Sequence, residues 1–155
     1  MPHPVDPDTA RAQAPAFAFP LRVYWEDTDA GGIVFYANYL KFFERSRTEW
    51  LRSLGIGQQE LKRASGGMFI VSQTDLRYHR PARLDDELVV TARMLKKGSA
   101  SLVIGQQALL KTEAAGPLPT VLLCEGTIRI GWVDAATLKP ARIPAFILDR
   151  LDTPS

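Results

Sequence analysis

Val23-Tyr24-Trp25-Glu26-Asp27-Thr28-Asp29-Ala30-Gly31-Gly32-Ile33-Val34-Phe35-Tyr36-Ala37-Asn38-Tyr39-Leu40-Lys41-Phe42-Phe43-Glu44 passes from a short strand, through an acidic turn with two glycines, into the start of a strongly apolar helix. Gly31 and Gly32 let the backbone approach a bound group closely and adopt conformations closed to other residues. A carboxylate just upstream and helix N-terminal amides just downstream form the pairing an acyl-transfer site needs. One group supplies or activates a nucleophile, and the other stabilises an oxyanion. This stretch is the candidate active site.

Outward from it, the hydrophobic period decides the fold. From Asn38, the residues Tyr39, Phe42, Phe43, Ser46, Trp50 and Leu54 share one helical face, with Lys41, Arg45, Thr48 and Arg52 on the other. Asn38 is the expected N-cap, Gly55 the expected C-terminal stop, and Arg45 and Glu49 a surface pair. Large aromatics on one side of a helix call for a broad apolar surface, which a wrapped sheet supplies. Upstream, Phe17, Phe19, Leu21, Val23 and Trp25 alternate as a strand. Residues 1–17, rich in Pro, Ala and Asp, read as a mobile tail ahead of a single domain over 18–150.

Downstream, four further strands are expected. In the first, Ile70, Ser72, Thr74, Leu76 and Tyr78 alternate with Val71, Gln73, Asp75, Arg77 and His79 until Pro81. Glu87–Lys96 and Ser101–Lys111 follow, joined at Lys97-Gly98-Ser99, and Glu113 to Pro119 is a loop. In Val121–Val133, Leu122, Cys124, Ile128, Ile130 and Trp132 share one side, opposite Glu125, Thr127 and Arg129. A short helix follows Pro144. One early strand, one long helix and four consecutive strands make an α+β domain with an antiparallel sheet. The free edges of such a sheet commonly pair with a second subunit, so a homo-oligomer is expected.

Bulk properties narrow the class. The net charge of +2 is too small to argue for nucleic acid. One cysteine, Cys124, permits no intrachain disulfide and suits a reducing compartment. The first residues lack the basic start and apolar core of a signal peptide, and no apolar run approaches a membrane span. A cytoplasmic, soluble protein is expected. Two histidines and one cysteine without ligand spacing argue against a metal site. There is no P-loop and no Gly-x-Ser-x-Gly elbow.

The turn motif Tyr24–Val34, with Asn38-Tyr39, Phe43–Glu49 and the later Tyr78-His79-Arg80-Pro81-Ala82-Arg83-Leu84-Asp85-Asp86, resembles the 4-hydroxybenzoyl-CoA thioesterase family. Within that family it is most similar to the YbgC-type acyl-CoA thioesterases associated with the Tol-Pal system. The resemblance spans about Pro20 to Ile147. It implies a hotdog fold, a dimer often assembled into a tetramer, and hydrolysis of acyl-CoA thioesters with neither metal nor cofactor. It places the catalytic aspartate at Asp29 and the oxyanion N–H at Tyr36. The YbgC-type sequences carry histidine where this chain has Tyr36, so no histidine side chain acts there; tyrosine at that place resembles the 4-hydroxybenzoyl-CoA enzyme.

Candidate substrate-binding residues are Gly31 and Gly32 through backbone geometry, Tyr39 along an acyl pocket, and Glu44 near the edge of the apolar helical face. Each has a structural alternative: tight-turn glycines, core packing, and a salt bridge to Arg47 or Arg45. Asp29 itself has one, a turn aspartate capping the following helix. For the CoA phosphates the resemblance favours Lys139, with Arg142, Lys96 and Lys97 behind it. The expected partners are an acyl-CoA (or an acyl carrier protein) and further copies of the chain, with peripheral association with an envelope complex implied only by the resemblance. The rival functions are an aromatic acyl-CoA thioesterase and a non-catalytic acyl-binding or scaffold subunit.

Overall fold

The structure, a computed structural model, describes residues 16–112 and 121–152. The expected tail up to residue 15 and the expected loop over 113–119 lie outside the described residues. In chain order the elements are β1 (Phe17–Arg22), a 3-10 turn (Trp25–Asp27), α1 (Asn38–Ser53), α2 (Gln58–Ser65), β2 (Gly67–Tyr78), β3 (Glu87–Lys97), β4 (Ser101–Leu110), β5 (Val121–Asp134) and α3 (Ala145–Leu151). The strands form one antiparallel five-stranded sheet in the order β1-β3-β4-β5-β2.

α1 lies against this sheet, because its aromatic face requires it. Tyr39, Phe42, Phe43, Ser46 and Trp50 are buried, and they meet the inward side chains Leu88, Val90, Leu102, Ile104 and Ile128 in one core. The helix ends as its sequence dictates. Gly55 takes φ +79°, its N–H reaches Arg52 O at 2.9 Å, and Ile56 N–H reaches Leu51 O at 2.8 Å, the paired bonds of a Schellman stop.

Several expectations are corrected. β1 ends at Arg22, and Trp25 sits in the 3-10 turn with 83% of its surface exposed rather than facing the core. Asn38 is the first helical residue, not the cap: no side chain caps α1, and Asn38 Nδ2 donates to Asp27 O at 2.7 Å. Glu49 pairs with Arg52, not Arg45. In β5 a register shift opposite Ala108 and Leu109 turns Leu123 fully inward in place of Leu122. α2 carries no helical period in the sequence, since Leu61 is its one buried residue. β2 does not alternate in burial; residues 70–75 are exposed on both faces of this edge strand.

Candidate active site

The acidic turn is built by its own carboxylates. Tyr24 N–H donates to Asp27 Oδ2 at 2.8 Å, closing the 3-10 turn, and Asp27 is 5% exposed. Asp27 O then accepts both Phe35 N–H (3.0 Å) and Asn38 Nδ2 (2.7 Å), which ties the turn to the helix start. Between them the chain folds back on itself: Thr28 bridges Val34, Asp29 N–H reaches Ile33 O at 2.8 Å, and Gly32 N–H reaches Asp29 O at 3.0 Å. Gly32 has φ +76°, a conformation that glycine adopts without the Cβ strain of other residues. Gly31 N–H donates to Asp29 Oδ1 at 2.8 Å, and a Cβ on Gly31 would stand 3.1 Å from that oxygen.

Asp29 is exposed, and its carboxylate is oriented by its own turn, not by the helix. The start of α1 therefore receives no cap from Asp29. Its first turn carries no acidic residue and no capping side chain. Asn38 N–H closes on Phe35 O at 2.8 Å, while the Tyr36 N–H donates to no group among the described residues. Tyr36 precedes the first helical residue, Asn38, by two positions, and a free N–H just ahead of the positive end of a helix dipole favours an anion or a developing oxyanion.

The site is braced from the β2–β3 connection. Val34 N–H reaches Ala82 O at 2.9 Å, Ile33 bridges Arg83, and Ala82 N–H donates to Tyr39 Oη at 3.1 Å. Tyr39 is 2% exposed and lies in the core below the turn, with burial raising its hydroxyl above the usual phenol range. Tyr78, the last residue of β2, donates its hydroxyl to Tyr36 O at 3.0 Å. Phe35, Tyr36 and Tyr78 form an exposed aromatic group, with ring centroids 4.8 Å apart for Phe35–Tyr36 and 6.3 Å for Tyr36–Tyr78.

The other expected residues are more dispersed. Glu44 is exposed and accepts a hydrogen bond from Thr48 Oγ1 at 3.0 Å. Lys139 is exposed in the turn after β5, held where Asp134 N–H meets Lys139 O at 2.9 Å. Gly67 pairs with Asp134, so this turn lies beside the start of β2, whereas Asp29 and Tyr36 lie beside its end at Tyr78. The eleven steps between correspond to roughly 36 Å of strand, and a single chain does not bring Lys139 to Asp29. Lys97 is ion-paired with Asp152. A trough of about 380 Å³ lies on the outer sheet face, lined by Asp75, Arg77, Thr91, Arg93, Gln107 and Glu125 among others, and none of the turn residues borders it. Two contacts escaped the sequence reading. Tyr78 gave no sign of its bond to Tyr36, which is 42 residues away. Arg47, expected only as a partner for Glu44, is 8% exposed and donates to Gln106 Oε1 at 2.8 Å.

Among known proteins, residues 23–151 match the model of the thioesterase-like superfamily. The chain is 38% identical to the acyl-CoA thioesterase YbgC of Haemophilus influenzae, over 83% of this chain and 88% of that protein. A solved probable thioesterase from Bartonella henselae is 31% identical, with TM-score 0.73 over 84% of this chain and all of the other. A solved 4-hydroxybenzoyl-CoA thioesterase shares the fold at TM-score 0.80 and 16% identity, covering 88% and 99% of the two chains.

Proposed function

This chain belongs to the thioesterase-like superfamily, and from that premise we propose that Asp29 and the Tyr36 N–H carry its acyl-CoA thioesterase chemistry. The protein is a thioester hydrolase with the hotdog fold. What supports the assignment of roles is one observation: a carboxylate oriented within its own turn stands on the same short segment as an uncapped helix N-terminus. The carbonyl oxygen of the thioester takes the Tyr36 N–H, and loss of such a donor typically costs on the order of 10²–10³ in rate.

Two routes use these groups. In one, an Asp29 oxygen attacks the carbonyl carbon, the tetrahedral oxyanion collapses to expel CoA thiolate, and water cleaves the resulting anhydride to regenerate the carboxylate. In the other, Asp29 takes a proton from water as the water attacks, and thiolate leaves from the same oxyanion. Thiolate is a good leaving group, so neither route needs a strong acid. Single turnover in ¹⁸O-water separates them: label recovered in the Asp29 carboxylate marks the anhydride route.

The working unit is a homo-oligomer in which β2 pairs with β2 of a second copy. β2 is the long edge strand, and residues 70–75 are exposed on both faces; an unpaired edge of this kind invites pairing. A two-fold axis across antiparallel edges would set the Lys139 turn of one copy beside the Asp29 turn of the other, placing the lysine where the CoA phosphates need charge. Gly31 and Gly32 then shape the wall at the carbonyl, Tyr39 supports it from below, and Glu44 lies along the helix beyond it. Tetrameric assembly, a cytoplasmic setting, use of acyl carrier protein and envelope association belong to the same reading. The exposed Phe35, Tyr36 and Tyr78 rings favour a flat acyl group as the second reading of specificity.

The test is thiol release by the full-length protein from butyryl-, palmitoyl-, benzoyl- and 4-hydroxybenzoyl-CoA. Turnover of any of these supports the hydrolase, and preference among them sets the acyl class. Tight acyl-CoA binding with no thiol released from any would reject it in favour of an acyl-binding scaffold.

A further inference from the structure

We propose that Tyr78 is a positioning residue for the oxyanion contact: its hydroxyl, by holding Tyr36 O, fixes the backbone that aims the Tyr36 N–H at the substrate. The proposal rests on the reading of Tyr36 given above. Tyr36 lies outside the regular helix, so nothing in the α1 ladder sets its torsions. Two bonds do so instead. On one side its preceding carbonyl, Phe35 O, takes Asn38 N–H at 2.8 Å; on the other its own carbonyl takes Tyr78 Oη at 3.0 Å. The Tyr36 N–H lies in the peptide plane it shares with Phe35 O, and the Tyr78 bond ties the plane that follows, so the two bonds together hold φ and ψ at Tyr36.

The geometry around Tyr78 suits a fixed donor. Its ring meets Tyr39 edge-on at 5.7 Å between centroids and Tyr36 at 6.3 Å, so packing holds the phenol independently of its hydroxyl. Its phenol is protonated at neutral pH as any tyrosine is, and partial burial, with Cys124 and Tyr36 nearby, raises its pKa further. Because Tyr78 is the final residue of the edge strand β2, it also links the proposed subunit contact to the reacting centre. Preorganised donors of this kind lower the barrier because no reorganisation is needed as charge develops.

The experiment is Tyr78→Phe in the full-length protein, which removes one hydroxyl and keeps the ring. Loss of one such bond predicts a kcat lowered about five- to twentyfold, with KM for the best acyl-CoA within about twofold and an unchanged melting temperature. Hydrogen exchange over residues 35–40 should quicken in the variant, a readout that needs no turnover. An unchanged kcat would overturn the inference, and so would a raised KM with a lowered melting temperature, the pattern of a purely structural residue. Failure of the wild type to release thiol sinks the thioesterase reading itself and this inference with it; a wild type and variant that turn over equally sink only the inference.

Discussion

Asp27 and Asp29 stand two positions apart and do opposite things. Asp27 is buried and spends its side chain on Tyr24 N–H, so it builds the turn; Asp29 is exposed and keeps its carboxylate at the surface. Asp27→Ala should therefore lower stability in urea unfolding by roughly 1–2 kcal/mol, the range for a lost capping carboxylate. The spacing Glu-Asp-Thr-Asp alone does not separate the two; the family resemblance points to Asp29, and the fold adds that Asp27 is buried. Cys124 makes a second residue-scale prediction. It is fully buried, and burial, with Glu125 nearby, pushes its thiol up to about 12 from an ordinary 9.0. Above pH 9 the unfolded chain loses this proton while the folded chain keeps it, so the folded state binds more protons and stability falls as pH rises toward 12. Urea midpoints at pH 8 and pH 10.5 should differ less in Cys124→Ala than in wild type; equal slopes would contradict this. The same burial predicts that Cys124 stays unreactive toward thiol reagents in the native protein at pH 8.

At the scale of elements, α1 was legible because Tyr39, Phe42, Phe43 and Trp50 recur at helical spacing, and β3, β4 and β5 because their apolar residues alternate. The polar seam beneath α1 was not. Ser46 Oγ donates to Val90 O at 2.9 Å, Arg47 to Gln106 Oε1, and Gln106 Nε2 to Phe43 O at 2.9 Å and Thr91 O at 3.2 Å. Ser46 could be placed on the inward face, but the bonds join α1 to distant strands, and Arg47 and Gln106 are side chains that ordinarily face water. Gln106→Ala would leave buried Arg47 and the Phe43 carbonyl without that amide, at a cost of about 2–3 kcal/mol in unfolding. The opening of β2 was equally hidden: a Cβ at Gly67 would stand 2.3 Å from the Trp132 ring. Gly67→Ala should displace the indole and lower the melting temperature, with Trp132 fluorescence reporting the shift.

At the scale of the whole molecule, the sheet-round-helix architecture and the turn at its mouth could be read from periodicity and motif together. The span between Asp29 and Lys139 could not, because it depends on which ends of β2 and β5 lie side by side. That separation is what makes a second copy necessary to the proposed site. Val71, 49% exposed on the edge strand, is the place to test it. Val71→Lys should shift the protein to monomers in light scattering and cost most of the activity together; a variant that remains oligomeric and fully active would reject pairing through β2. No helix among the described residues is long and apolar enough to cross a membrane.

The central claim, that the Asp29 carboxylate works on a thioester held by the helix amide, is tested most directly by kcat of Asp29→Asn on the best acyl-CoA, with melting temperature measured alongside. Turnover should fall about 10²–10⁴-fold in a protein that melts with the wild type. Turnover retained within a few-fold, in a folded Asp29→Asn protein, would contradict it.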